Sequence, residues 1–167
     1  MSSAIDIVYV WNKETFLEAS KASYDYEMKH SHKRFLGWIF IAFTQFGVVG
    51  ALKKDVYGLL IISTVLVIYW YAMRWPLRKI ILLKGFETSA NKNHKFIMSA
   101  DNAGIKVDET LIKWDAILEV VSLKNGFLLY HGVTFLFIPK NAFLDAEQKD
   151  KFSQLARKNI QHYKEDK

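Results

Sequence analysis

The chain has no cysteine. That excludes a disulfide framework and any thiol-based metal or redox chemistry. Prolines are two, Pro76 and Pro139, and there is no internal repeat or low-complexity tract. Also missing are a glycine-rich phosphate loop, a paired-carboxylate motif and a nucleophile elbow, so no enzymatic reaction and no cofactor are expected. Histidines do not fill the gap. His30 and His32 are two residues apart, which puts them on different faces of a helix, whereas helical metal pairs use a spacing of four. His94, His131 and His162 are scattered, with no acidic or serine partner evident in the sequence, and no metal site is expected.

Charge is absent from two long stretches. Residues 35–52 and 56–73 are each 18 residues without Asp, Glu, Lys, Arg or His, separated only by the turn Lys53–Asp55. At ~1.5 Å per residue each spans roughly 27 Å, enough for the hydrocarbon core of a bilayer. The alternative is a helical hairpin buried inside a soluble domain. Two adjacent charge-free runs of this length favour a membrane hairpin, and so do the aromatics near its ends: Trp38, Tyr57, Tyr69, Trp70, Tyr71 and Trp75. A cleaved signal peptide is not expected, because mostly polar residues precede the first run and no small-residue cleavage pattern follows it. Spans without ionisable groups do not suit a transporter or proton pump.

The formal net charge of +6 is unevenly placed. Residues 1–28 hold two bases and five acids, and 85–167 hold twelve bases and eleven acids. The excess sits in the two flanks of the hairpin: Lys29, Lys33 and Arg34 before it, and Arg74, Arg78, Lys79 and Lys84 after it. Bases packed beside both spans are the positive-inside signal, which predicts two cytoplasmic termini and an external turn at Lys53–Asp55. These residues also suit an anionic leaflet as partner. Nucleic acid is not an expected partner, since no basic stripe interleaved with aromatics is present elsewhere.

Around the hairpin the pattern is that of a small α+β domain. Ile5–Trp11 (IDIVYVW) reads as a strand and is followed by a helix with Asn12 as its N-cap, running to Arg34. After the spans comes a basic stalk, with Pro76 expected to kink its start, then a polar linker at Ser89–Asn93. From His94 onward six short strands are predicted, HKFIMS, GIKVD, TLIKW (ending at Trp114), ILEVVSL, FLLYH and VTFLFIP, with turns at Asp101–Gly104, Asp108-Glu109 and Lys124-Asn125-Gly126. A final helix is expected from Phe143 to Lys164, with Asp145 as N-cap and Phe152, Leu155, Ala156 and Ile160 as its buried stripe. An isolated strand does not stay folded, so Ile5–Trp11 is expected to join the C-terminal sheet. The fold class is thus an α+β membrane protein, a two-helix transmembrane hairpin plus a small antiparallel partial barrel of the pleckstrin-homology (PH) type with a C-terminal helix. Its parts are residues 1–34 (strand and helix), 35–73 (hairpin), 74–93 (stalk and linker) and 94–167 (β domain).

In the order and spacing of these segments the chain resembles the YcxB-like membrane proteins. The resemblance lies in the N-terminal strand and helix, the two spans and basic stalk, GIKVDETLIKWDAILEVV (104–121), and FIPKNAF (137–143) leading into the last helix. It implies an architecture and a bacterial inner-membrane address, and no reaction.

Binding residues are read as follows. Lys113, Lys124 and Lys140 are the lysines that would surround a small anionic ligand, although isolated lysines are more often simply solvated. Gly47 and Ala51 form a small-x-x-x-small pair for close helix packing, within the hairpin or between protomers of a homo-oligomer. Two function classes fit. One is a non-enzymatic membrane protein with a regulatory cytoplasmic domain that senses or binds a protein or small anionic ligand. The other is a ligand-gated membrane effector, of the kind used in antiviral defence, that oligomerises on a nucleotide-like signal and perturbs the membrane.

Overall fold

The computed structural model describes residues 4–54, 57–132 and 134–166, with the side chains of residues 33, 34 and 59 also outside the description. The chain divides into two units. One combines residues 1–23 with 89–167, and the other is residues 24–88.

The first unit holds eight strands in two four-stranded sheets. β1 (Ile5–Val10), β2 (Lys95–Ala100), β3 (Gly104–Val107) and β4 (Thr110–Lys113) follow one another in the first sheet, every pair antiparallel. The N-terminal strand lies at its edge, with Ile5 opposite Ala100 and Val10 opposite Lys95. β1 alternates strictly: Ile5, Ile7 and Tyr9 are buried, while Asp6, Val8 and Val10 are not. That period of two is what one covered face requires.

The second sheet has the order β7-β6-β5-β8, from β5 (Glu119–Ser122), β6 (Gly126–His131), β7 (Thr134–Pro139) and β8 (Tyr163–Glu165). Phe127, Leu128 and Leu129 are consecutive and all buried, so β6 is covered on both faces, as its unbroken apolar run predicts. One cluster joins the inner faces of both sheets to helix α5 (Ala146–Asn159). Phe152 of α5 is fully buried, with ring centroids 5.0 Å from Phe127, 5.4 Å from Phe143 and 6.4 Å from Trp114. Each such ring contributes roughly 1.5–3 kcal/mol by its burial.

Turns and caps follow local chemistry. The Asp101 carboxylate accepts from the backbone N–H groups of Ala103 and Gly104, which closes the β2–β3 turn. A Cβ on Gly104 would lie 2.3 Å from the Ile112 carbonyl oxygen, so only glycine lets β4 approach there. Asp145 accepts from the Gln148 N–H at 2.7 Å and caps α5, and Asn12 accepts from the Thr15 N–H at 2.9 Å at the start of α1 (Lys13–His30).

Three details of this unit depart from the sequence reading. Trp114, expected in a strand, opens a 3₁₀ turn (Trp114–Ala116) and donates from its indole Nε1 to the Asp101 carbonyl at 2.8 Å. The last helix stops at Asn159, because buried Ile160 is extended, and Tyr163–Glu165 become β8, parallel to β5. His94 does have an acidic neighbour: its Nε2 is 3.2 Å from an Asp108 carboxylate oxygen, in an exposed pair of the kind worth at most ~1 kcal/mol.

The second unit is helical. α1 is not continuous with the first apolar helix, since the chain breaks at Ser31 and His32 before α2 (Lys33–Lys54). α3 (Tyr57–Ile68) runs through a π-helical turn (Tyr69–Met73) into α4 (Arg74–Glu87). The backbone N–H of Arg74 reaches the Tyr69 carbonyl, five residues back, which is the signature of one inserted residue. Pro76 follows at once. Its ring has no N–H and crowds the carbonyl of the turn before it, and a widened turn at this boundary relieves that clash. Two helical segments, Phe35–Lys54 and Leu60–Glu87, are long and apolar enough to cross a membrane. Of the expected external turn Lys53–Asp55, Lys53 and Lys54 close α2 and residue 55 lies outside the described residues.

Candidate functional site

α2 and α3 meet through small residues. A Cβ on Gly47 would sit 2.8 Å from the Ser63 hydroxyl oxygen, and Ala51, Thr44 and Ser63 are all buried. The close approach at Gly47 is therefore made inside the hairpin. The hydroxyls of Thr44 and Thr64 donate to carbonyls four residues back, Phe40 and Leu60, at 2.8 and 2.9 Å. Neither is left seeking a partner in an apolar setting. The outward faces are open and mostly apolar, with Phe43 74% and Phe46 77% exposed, and they also carry the exposed polar side chains of Gln45 and Thr64.

Where α2 begins and the π-helical turn ends, aromatic rings and arginines gather. Gly37 leaves room for the Trp70 indole, 2.9 Å from where a Cβ would be, and Trp70 stacks on Phe40 with centroids 5.0 Å apart. The Arg74 guanidinium lies 4.4 Å from the Trp70 ring centroid and 5.4 Å from that of Tyr24. It also donates to the Met28 sulfur at 3.4 Å. Arg78, one turn further along α4, is 4.8 Å from the Tyr24 centroid, and Trp75 packs on the same tyrosine at 5.6 Å. Cations over rings in this range gain roughly 0.5–2 kcal/mol, more as water is excluded.

Two cavities adjoin the cluster. One of about 590 Å³ is lined by Leu36, Ile39, Phe40, Phe43, Trp70 and Arg74. Another, of about 410 Å³, runs along α4 past Tyr24, Tyr69, Leu77 and Ile81 and includes both Arg74 and Arg78. Arg74 lines both.

The residues singled out by sequence divide accordingly. Arg74 and Arg78 come together on Tyr24. Lys79 and Lys84 are exposed on α4 outside the cluster, and Lys29 lies in the last turn of α1. Lys33 and Arg34 open α2, and their side chains lie outside the described residues. Of the three lysines proposed for an anionic ligand, Lys124 and Lys140 sit at the same end of the second sheet, where the Lys140 N–H bonds the Asn125 carbonyl. Lys113 ends β4 in the other sheet, and all three are exposed. Tyr24 was not foreseen as a partner of the arginines. It comes from another helix, and nothing in the local sequence pairs residue 24 with residue 78.

No curated protein and no solved structure matches the chain. Residues 101–156, which run from the β2–β3 turn into α5, match the family described as YcxB-like protein, so this stretch of the β unit is similar to that family.

Proposed function

We propose that the chain is a non-enzymatic, two-span protein of the bacterial inner membrane whose YcxB-like domain is a cytoplasmic sensing or interaction module. The observation that carries this reading is the pairing of β1 with β2 across the apolar hairpin. Strands hydrogen-bonded to each other share one compartment, so the chain between them crosses a membrane an even number of times. Two exposed apolar helices supply two crossings. In water, faces carrying Phe35, Phe43, Phe46, Ile61 and Val65 would be a large uncovered apolar surface. In a bilayer they face lipid. The rings and arginines at the ends of these helices match the chemistry of the headgroup layer, and the basic flanks support cytoplasmic ends beside an anionic leaflet.

The strand order, two four-stranded sheets closed by a C-terminal helix, supports reading the β unit as a PH-like partial barrel. Its ligand is a protein or a small anion, and Lys124 and Lys140 are the pair best placed to meet an anion. The anchor reading is preferred to the gated effector because Thr44 and Ser63 are buried between α2 and α3, and the exposed Gln45 and Thr64 are too few to form a continuous polar face. Overexpression tests the choice. Cells producing the full chain should keep their membrane potential under all growth conditions, and depolarisation triggered by phage infection or an added nucleotide signal would favour the effector.

A further inference from the structure

Arg74 and Arg78 occupy successive turns on one face of α4, and both guanidinium groups approach a single ring, that of Tyr24. Among the described residues neither has a carboxylate partner. Two like charges are thus held around one ring, without a carboxylate counter-ion among the described residues, at the end of an apolar helix pair. Aromatic contacts fix the guanidinium groups in place, which reduces the entropy lost when they bind an oxyanion, and their planar forks suit phosphate. Arg74 also forms the rim of the groove lined by Leu36, Ile39, Phe40, Phe43 and Trp70. A charged rim on an apolar groove, within one membrane-facing unit, complements a molecule that is anionic at one end and aliphatic at the other.

We propose that the hairpin binds one anionic phospholipid per chain. Its phosphate lies between Arg74 and Arg78 beside Tyr24, and an acyl chain follows the groove along Leu36, Ile39 and Phe43 under the Trp70 indole. The inference rests on the membrane reading above and goes beyond it. General attraction to an anionic leaflet treats all flanking cations alike, whereas a built site depends on two of them. Trp70 lies in the π-helical turn and Arg74 directly follows it, on the same side of the helix.

The test uses the purified full chain in mild detergent, with lipid retention read by native mass spectrometry against phosphatidylglycerol and phosphatidylcholine. The wild type should keep a single phosphatidylglycerol in preference to phosphatidylcholine. R74Q/R78Q should weaken that retention at least tenfold, roughly the value of one charge-assisted contact. K79Q/K84Q, which removes the same charge from the same helix, should stay within about twofold of wild type. Ile39→Trp, which narrows the groove and leaves both arginines, should also lower retention. Equal losses in the two double variants, equal retention of the two lipids, or displacement of the lipid by millimolar glycerol phosphate would each overturn the site. An alkaline wash of native membranes separates the two claims. Wild-type protein released by the wash contradicts the membrane reading itself, whereas protein that stays in the membrane yet shows no lipid preference contradicts only the site.

Discussion

At the scale of single residues, Tyr9 is the clearest case of a buried polar group with a measurable consequence. Its side chain lies in the core of the β unit, and its hydroxyl has no hydrogen-bond partner among the described residues. Burial pushes the phenol pKa well above its ordinary value, and the negative charge of Asp108 adds to the effect. The folded phenol therefore keeps its proton when the unfolded one begins to ionise, near pH ~10. Stability from this source is complete below that pH and falls as pH rises, by up to ~1.4 kcal/mol per unit. Tyr9→Phe should leave stability at pH 7 unchanged or raise it by up to ~1 kcal/mol, because it removes an unsatisfied hydroxyl and keeps the ring. It should also flatten the alkaline decline. Denaturant titrations of the full chain at pH 7, 10 and 11 check both, and a loss above ~1 kcal/mol at pH 7 would mean the hydroxyl is bonded.

Gly47 makes a second prediction. Leucine there would force α2 and α3 apart or push Ser63 aside, at a cost of ~1–3 kcal/mol. Thermal unfolding in detergent should fall clearly for Gly47→Leu and little for Gly50→Leu, since nothing lies within 4 Å of a Cβ at Gly50. Equal effects would show that the contact is not specific to Gly47.

At the scale of elements, the legible parts of the sequence were those whose signal is local. Asn12 and Asp145 cap helices because a side-chain oxygen within three residues can reach a free N–H, and a reader of the sequence sees both partners at once. The strand alternation of Ile5–Val10 and the apolar run of β6 are equally local. β8 was not legible. Tyr163–Glu165 continues a helical polar–apolar pattern, and what makes it a strand is distant: pairing with β5, the Lys164–Glu119 ion pair at 2.6 Å, and the Arg157 guanidinium 4.8 Å from the Tyr163 ring centroid. The arginine–tyrosine cluster was missed for the same reason. Basic flanks announce themselves by composition, but the ring that gathers two of them belongs to another helix.

β1 carries the element-scale prediction. It places Ile5, Ile7 and Tyr9 in the core, each worth roughly 1.5–3 kcal/mol, a sum comparable to a small domain's net stability of ~5–15 kcal/mol. Residues 94–167 alone should therefore lack a cooperative thermal transition. Fusing residues 4–12 to that fragment through a flexible linker should restore one. A sharp transition in the fragment without β1 would contradict the weight given to the strand.

At the scale of the whole molecule, the central claim is topological. On the proposed reading, a hairpin inserted between two neighbouring strands of one sheet puts the residues before and after it on one side of the membrane and only the tip between the spans on the other. The chain's lack of cysteine makes this directly measurable. Single cysteines at Lys13, Lys53 and Asn91 occupy exposed positions before the hairpin, at its tip and after it. Treated with a membrane-impermeant maleimide in spheroplasts, only Lys53→Cys should react, and all three should react after lysis. Labelling of Lys13→Cys or Asn91→Cys in intact spheroplasts, or of all three alike, would contradict the account.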